Sequence, residues 1–316
     1  MSFEFFVENK KDGKISEISE LVTSISYSDP LNNGCGKLEF SYLDDELDIY
    51  NGSVIRFRYQ GTNIFYGYVF KNSRSKAKKV PIVAYDQLRY LKAKDIMVIQ
   101  NMEVADIITR ACLYFNLRKG NVTPTGYKLP TSVQDNKTWL DVIYEAIRDT
   151  LLATSRKYCL RDEFGYIALR NLEELKLNLI LGEGSLCYDF NYEKSIDTNT
   201  YNLIKLIKKN EESGRVDVYI AKDSDSFSKW GILQYYEEED KSSNDATIKS
   251  KADALLKLYN RELETLELKC LGDTRVRAGT SVLAELSDIG VNKRLIVKNV
   301  THHFLPVHTM EVELCI

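Results

Sequence analysis

Only three histidines occur in 316 residues, His302, His303 and His308, which leaves little from which to build a metal centre or a catalytic base. In a strand His302 and His303 face opposite sides, and Pro306 interrupts the run to His308, so no metal site is expected. No GxSxG elbow is present, and a Ser or Cys nucleophile would need its base from the same three residues, so no catalytic residue is assigned. The six cysteines (Cys35, Cys112, Cys159, Cys187, Cys270, Cys315) show no CxxC spacing; this argues against a zinc motif or a dense disulfide framework, and most of them read as buried free thiols. No stretch approaches the roughly 18 apolar residues of a membrane span. The opening MSFEFFVENKKDGK also lacks the basic start and apolar run of a secretion signal, so a soluble chain made in the cytoplasm is expected. A net charge of −3 supplies no field to gather phosphate backbones, so no specific nucleic acid is expected as partner.

What is abundant is tyrosine, 20 residues, beside 12 Phe and only 5 Pro, a composition that favours pleated, half-buried strands. From Ile15 to Asp86 short alternating runs (LEFSYL, SVIRFRY, NIFYGYVF, VPIVAYD) predict antiparallel strands. Between Asn101 and Leu117 the period changes: Val104, Ile107, Ile108, Ala111 and Phe115 fall at helical spacing, with Asn101 as the expected N-cap. A linker holding Gly120, Pro124, Gly126 and Pro130 leads to a second helix with Trp139, Ile143, Ala146, Ile147 and Leu151 on one stripe. KYCLRDEFGYIALRN predicts a hairpin turning at Asp162 to Gly165, the glycine suited to positive φ. Further strands (YNLIKLIKK, RVDVYIA), a helix with Ile248, Ala252, Leu255, Leu256 and Tyr259 on one face, and final strands from Thr265 to Ile316 complete the chain.

An internal repeat organises these elements. LEFSYLDDELDIYNGSVIRF, from Leu38, resembles LELKCLGDTRVRAGTSVLAEL, from Leu266, with fourteen residues from Leu to Gly in the first and thirteen in the second. Each copy then continues as strand, polar turn, strand, connection and last strand, which predicts two copies of one β unit. The expected fold is α+β, mainly β, with two similar antiparallel units: residues 1–95, a helical linking segment 96–155, a small β insertion 156–200, and a second unit 201–316.

Other candidate motifs have simpler readings. DSDSFSKW at Asp223 begins like a calcium loop, but Phe227 and Ser228 stand where a further oxygen ligand and the turn glycine are required. GEGSL at Gly182 and GCGKL at Gly34 lack the third glycine and the βαβ setting of a phosphate fingerprint, and read as turns. Asp44 with Asp45, and the run Glu237 to Asp240, read as solvated loop acids rather than a glycosidase pair. KNSRSKAKK, Lys71 to Lys79, is expected at a projecting hairpin tip, where it is solvated or meets an acidic neighbouring subunit.

Taken in order, GSVIRFRYQGTNIFYGYVF, VPIVAYDQLRYLKAKD and a short helix resemble the amino-terminal half of XkdQ/YqbQ-type hub proteins of phage-like particles. AKDSDSFSKWGILQYYEEED, GDTRVRAGTSV and VKNVTHHFLPVHTMEVEL resemble the carboxy-terminal part of that family and of the broader late control protein D group. The resemblance implies barrel-like units and a homotrimeric pseudo-six-fold ring at the baseplate of a contractile phage tail or phage-tail-like bacteriocin. It also implies the tail tube protein, central spike protein, baseplate wedge proteins and tape measure protein as partners, and assembly in the bacterial cytoplasm before incorporation into the particle. It carries over no catalytic, cofactor or metal residues. The competing class is a β-rich cell-surface or carbohydrate-binding tail module, for which Tyr and Trp would supply stacking platforms.

Overall fold

A computed structural model describes residues 2–43, 47–74, 76, 78–210, 214–241 and 243–316. The first strands are β1 (Phe3–Glu8), β2 (Ile15–Glu17), β3 (Val22–Pro30), β4 (Lys37–Leu43), β5 (Val54–Tyr59), β6 (Thr62–Asn72) and β7 (Lys79–Tyr85). A short 3-10 turn at Gln87–Lys92 then precedes β8 (Lys94–Ile99), α1 (Val104–Tyr114), β9 (Lys119–Val122), β10 (Ser132–Thr138), α2 (Trp139–Thr154), β11 (Tyr158–Asp162) and β12 (Ile167–Asn171). Next come β13 (Lys176–Gly182), β14 (Cys187–Ser195), β15 (Leu203–Asn210), β16 (Arg215–Lys222), α3 (Ser224–Trp230), β17 (Gln234–Glu238) and α4 (Asp245–Tyr259). The chain finishes with β18 (Leu263–Leu271), β19 (Ser281–Leu286), β20 (Val291–His303) and β21 (Thr309–Cys315).

The fold is mainly β, as expected, and its principal sheet contains the repeat. The first copy runs β3-β4-β7-β6-β5 and the second β14-β18-β21-β20-β19. Register confirms the equivalence. Leu38 stands opposite Tyr27 and Ala84; Leu266 stands opposite Tyr192 and Leu314. Both copies break register at the same places, between Val22 and Ser24 or Cys187 and Asp189 in the first strand, and between Val69 and Lys71 or Val297 and Asn299 in the fourth. The two repeat glycines share a backbone state. Gly52 (φ 88) donates to the Val69 carbonyl while Val69 donates to Ser53, and Gly279 (φ 85) does the same with Val297 and Thr280. Positive φ is where glycine carries no Cβ penalty, which explains the glycine in each copy.

Alternation supplies the first core. Phe5, Leu38, Phe40, Phe57, Ile82 and Phe304 are almost fully enclosed, and the rings of Phe5 and Phe40 lie 4.5 Å apart although three strands separate β1 from β4 along the sheet. The sheet therefore curls round its own apolar face. The second copy encloses Leu266, Leu268, Val282, Val297, Val312 and Leu314 in the same way. A third core joins the two helices to the hairpin through Ile107, Ile108, Trp139, Ile143, Leu160 and Ile167.

Four details differ from expectation. Glu103, not Asn101, caps α1; its carboxylate accepts from the N–H groups of Thr125 and Gly126 at 2.9 Å each, and Asp106 accepts from Glu103 N–H at 2.8 Å. Asn101 lies two residues further out with φ 53, spent on the entry bend. The expected linker carries β9, paired parallel with β12, and β10, paired with β8. Strand pairing also crosses the boundary drawn at 200: β13 pairs with β19 and β14 with β18, so both join the second copy. Conversely β15, β16 and β17 form a separate three-stranded sheet under α4, with Ile204, Leu206, Tyr219, Ile248, Ala252 and Leu255 between them. The cause is common to the last three: alternation fixes which residues point inward, whereas the partner strand is chosen by contacts remote in sequence.

The repeat glycines make a paired test. Gly52→Ala, whose added Cβ meets nothing within 4 Å, is expected to cost about 1 kcal/mol through backbone strain alone. Gly279→Ala is expected to cost more in the same urea titration, because its Cβ would lie 3.0 Å from Cys159 Sγ and Leu172 Cδ2.

Candidate assembly surfaces

The two copies are fused side by side by one antiparallel seam. Asn299 to His303 of β20 pair with Pro30 to Ser26 of β3, and the hydroxyls of Ser28 and Thr301 meet at 3.0 Å. Across this seam the outer face of the sheet is continuous and polar. Asp189, Lys269, Glu311, Thr301, Ser28, Lys37 and Tyr85 stand opposite one another in turn across seven strands. Exposed ion pairs stud it, Lys269 with Asp189 at 2.8 Å, Lys298 with Glu313 at 2.6 Å and Lys37 with Glu39 at 2.8 Å. Such pairs contribute at most about 1 kcal/mol each, so this is a hydrated wall rather than a cohesive surface. A shallow groove of about 200 Å³ lies between Asp189, Asn191, Glu267, Asn299, Glu311 and their neighbours, small beside the roughly 300–1,000 Å³ of ligand pockets.

Behind the seam lies a buried junction that the sequence did not announce. Arg277, in the loop before β19, donates from Nε to Asp29 Oδ2 at 2.8 Å, from Nη2 to Tyr27 Oη at 3.1 Å and from Nη1 to the Asp162 carbonyl at 3.1 Å. One guanidinium thereby binds β3, the β11–β12 hairpin and the second copy. Burial works against its charge, but Asp29, Tyr27 and Asp162 together more than offset it and hold the guanidinium protonated, whereas enclosure pushes the Tyr27 hydroxyl far above its usual range. Asp162 accepts from Gly165 N–H at 2.7 Å and Gln87 Nε2 at 3.2 Å, and burial raises its carboxyl to about 6. Asp86, holding Gly36 N–H at 2.7 Å, is raised by burial and by Asp162 beside it. Gly165 has φ 89, as its turn requires, and a Cβ there would strike the Tyr66 ring at 2.7 Å.

The histidines divide. The turn after β20 brings His308 Nε2 to 3.0 Å from His302 Nδ1, while His303 remains on the other face. His302 Nε2 faces the Val276 carbonyl at 2.9 Å and must donate to it, so Nδ1 accepts and His308 Nε2 donates. The His302 ring is neutral in that arrangement and burial holds it down to about 4, and burial lowers His308 as well. Two histidines thus converge where none were expected to, yet among the described residues no group of three or more His, Cys, Asp or Glu is disposed to hold a metal.

The remaining candidates are engaged structurally. Asp223 caps α3, its Oδ1 accepting from Asp225 N–H at 2.9 Å. Glu237 lies 3.3 Å from Arg148 and 3.1 Å from Lys251, and Glu239 2.7 Å from the same lysine. The GEGSL segment is the turn after β13, and GCGKL leads into a strand, not a helix. Asp44 and Asp45 lie outside the described residues. Trp139 is 2% exposed and stacks on Tyr114 at 5.5 Å, which removes it as a glycan platform. Lys71 near the end of β6, Lys76 and Lys78 between the strands and Lys79 at the start of β7 are all exposed. Among the described residues no helix is long and apolar enough to cross a membrane.

The profile of the YqbQ-like family matches residues 25–315, which takes in both copies and the seam between them. The chain belongs to the YqbQ-like family. It is 28% identical over 268 residues to the phage-like element PBSX protein XkdQ of Bacillus subtilis, covering 83% of this chain and 81% of that one. Its fold is shared with the 43 kDa tail protein of prophage MuSo2 from Shewanella oneidensis, at TM-score 0.73 and 13% identity over 98% of each chain. The tail protein from Neisseria meningitidis MC58 is similar at TM-score 0.72 and 13% identity, over 100% of this chain and 97% of that one.

Two expectations follow for this YqbQ-like chain. Arg277→Met strands the buried Asp29 carboxylate and is expected to destabilise by roughly 3–5 kcal/mol, with Asp29→Asn in the same chain restoring part of the loss in denaturant titrations. The depressed His302 makes its contribution present above pH 6.5 and lost as pH falls from 6.5 toward 4, about 3 kcal/mol in all. Raised Asp162 runs oppositely, stabilising as pH falls through 6, so the check is the difference between wild type and His302→Gln, which should shrink over that window.

Proposed function

We propose that this chain is the structural baseplate hub of a contractile phage tail or phage-tail-like particle. Three copies close a ring of six near-equivalent β units between the tail tube and the central spike. The observation that carries the reading is the duplicated sheet: two units of identical strand order sit side by side on one seam, so three chains present six similar faces to a tube of six-fold character and three identical chains to a trimeric spike. The hydrated outer sheet face, with Glu267, Glu311 and Glu313 close together on β18 and β21, suits a conduit wall that does not retain a polyanion. The similarity to a phage-like element protein, and the fold shared with a prophage tail protein, support the same setting. The role is geometric, not enzymatic, with tube, spike, wedge and tape measure proteins as partners and cytoplasmic assembly before incorporation.

Native mass spectrometry of the purified chain is expected to give a species of three times 36.3 kDa at micromolar concentration, and labelled chain is expected at the tube end of assembled particles. A chain that stays monomeric and is absent from particles would overturn the proposal.

A further inference from the structure

We infer that the seam joining the two copies within one chain is repeated between chains, the side of β6 left open at Lys71 and Asn72, and continued by Ser73, receiving the free edge of β14 at Glu193 to Ser195 of a second copy. This rests on the ring proposed above and specifies its contact.

The repeat supplies the template. Within the chain, β20 is covered by β19 only as far as Ile296; beyond its bulge the vacated side is taken by β3. In the first copy β6 is covered by β5 only as far as Tyr68, and beyond the equivalent bulge the same side has no strand on it among the described residues. The strand equivalent to β3 in the second copy is β14, which among the described residues pairs with β18 alone. Each chain therefore ends in the two halves of a joint it has already made once internally. A strand edge with unpaired N–H and C=O groups is a template for exactly this kind of addition, and the two halves are different surfaces, so pairing is head-to-tail and builds a ring instead of a two-fold dimer.

The matched registers fix the pairing. Val69 corresponds to Val297, and Tyr27 to Tyr192, because each stands opposite equivalent residues of its own copy. Transferring the internal pairs Asn299 with Pro30, Val300 with Asp29 and Thr301 with Ser28 sets Lys71 opposite Ser195, Asn72 opposite Lys194 and Ser73 opposite Glu193. The β6 side carries exposed Lys71, Lys76, Lys78 and Lys79, and the paired segment of β14 offers the exposed acid Glu193 beside Lys194. The basic hairpin tip then has a specific task, to guide Glu193 into register.

The test is a Ser73→Cys, Glu193→Cys double variant of the full chain, oxidised with diamide and run on a non-reducing gel beside native mass spectrometry of the same sample. Disulfide-linked dimers and trimers are expected, absent from either single variant and from Ser73→Cys with Asp189→Cys, which is four residues out of register. Glu193→Arg, without any cross-link, is expected to weaken the trimer at least about tenfold. A trimer that forms without the Ser73–Glu193 cross-link and tolerates Glu193→Arg overturns the joint and leaves the ring; a chain that never trimerises overturns both.

Discussion

A guanidinium does not give up its proton in a protein, so once Arg277 is enclosed the surrounding chain must bring acceptors to it. They come from three places: the Asp29 carboxylate and Tyr27 hydroxyl on β3, and the Asp162 carbonyl at the hairpin. Removing any one element leaves a buried charge short of partners. The seam between β3 and β20 and the seating of the hairpin against it are thus one arrangement. The raised Asp162 and Asp86 carboxyls and the depressed His302 ring are consequences of the same enclosure, with polar groups desolvated where three parts of the chain meet.

That junction acts together with an apolar anchor. A curled sheet has most of its apolar face satisfied internally, by Phe5, Phe40 and Phe57 in one copy and Leu266, Leu268 and Val312 in the other. Their relation is set by backbone pairing along the seam, by the polar contacts behind it and by Phe304, which follows β20 and lies in the first copy's core 4.8 Å from the Phe57 ring. Duplication makes such pairing extensible: an edge that accepts a strand within the chain exists a second time at its end. The proposed ring then needs no surface beyond those the repeat created.

The residue types that usually announce chemistry are drawn into structure here. Glu103 clamps the turn at Thr125 and Gly126, Glu237 and Glu239 flank Lys251, Asp223 caps a helix, and the His302 and His308 rings satisfy each other beside Gly272, where a Cβ would lie 2.2 Å from the His308 ring. Each carries a polar group inward and meets its partner there, which is the general condition for burying it.

Much of the fold was legible in the sequence because its signals are local. The alternating runs from Leu38 to Tyr85, the helical stripes from Val104 and Trp139, the hairpin at Gly165 and the repeat marked by Leu38 and Leu266 follow from side-chain periodicity and from glycine's freedom at positive φ. The pairing of β13 and β14 with the final strands, the separate sheet of β15 to β17, the meeting of His302 with His308 and the enclosure of Arg277 did not. The first two depend on which strands meet, and alternation is silent on partners. The last two depend on positions brought together across 6 and 248 residues of chain. The sequence by itself determined which residues face inward and that one unit occurs twice; only the tertiary structure decided how the units join, because a hydrogen-bonded seam is made of backbone groups that every residue possesses alike.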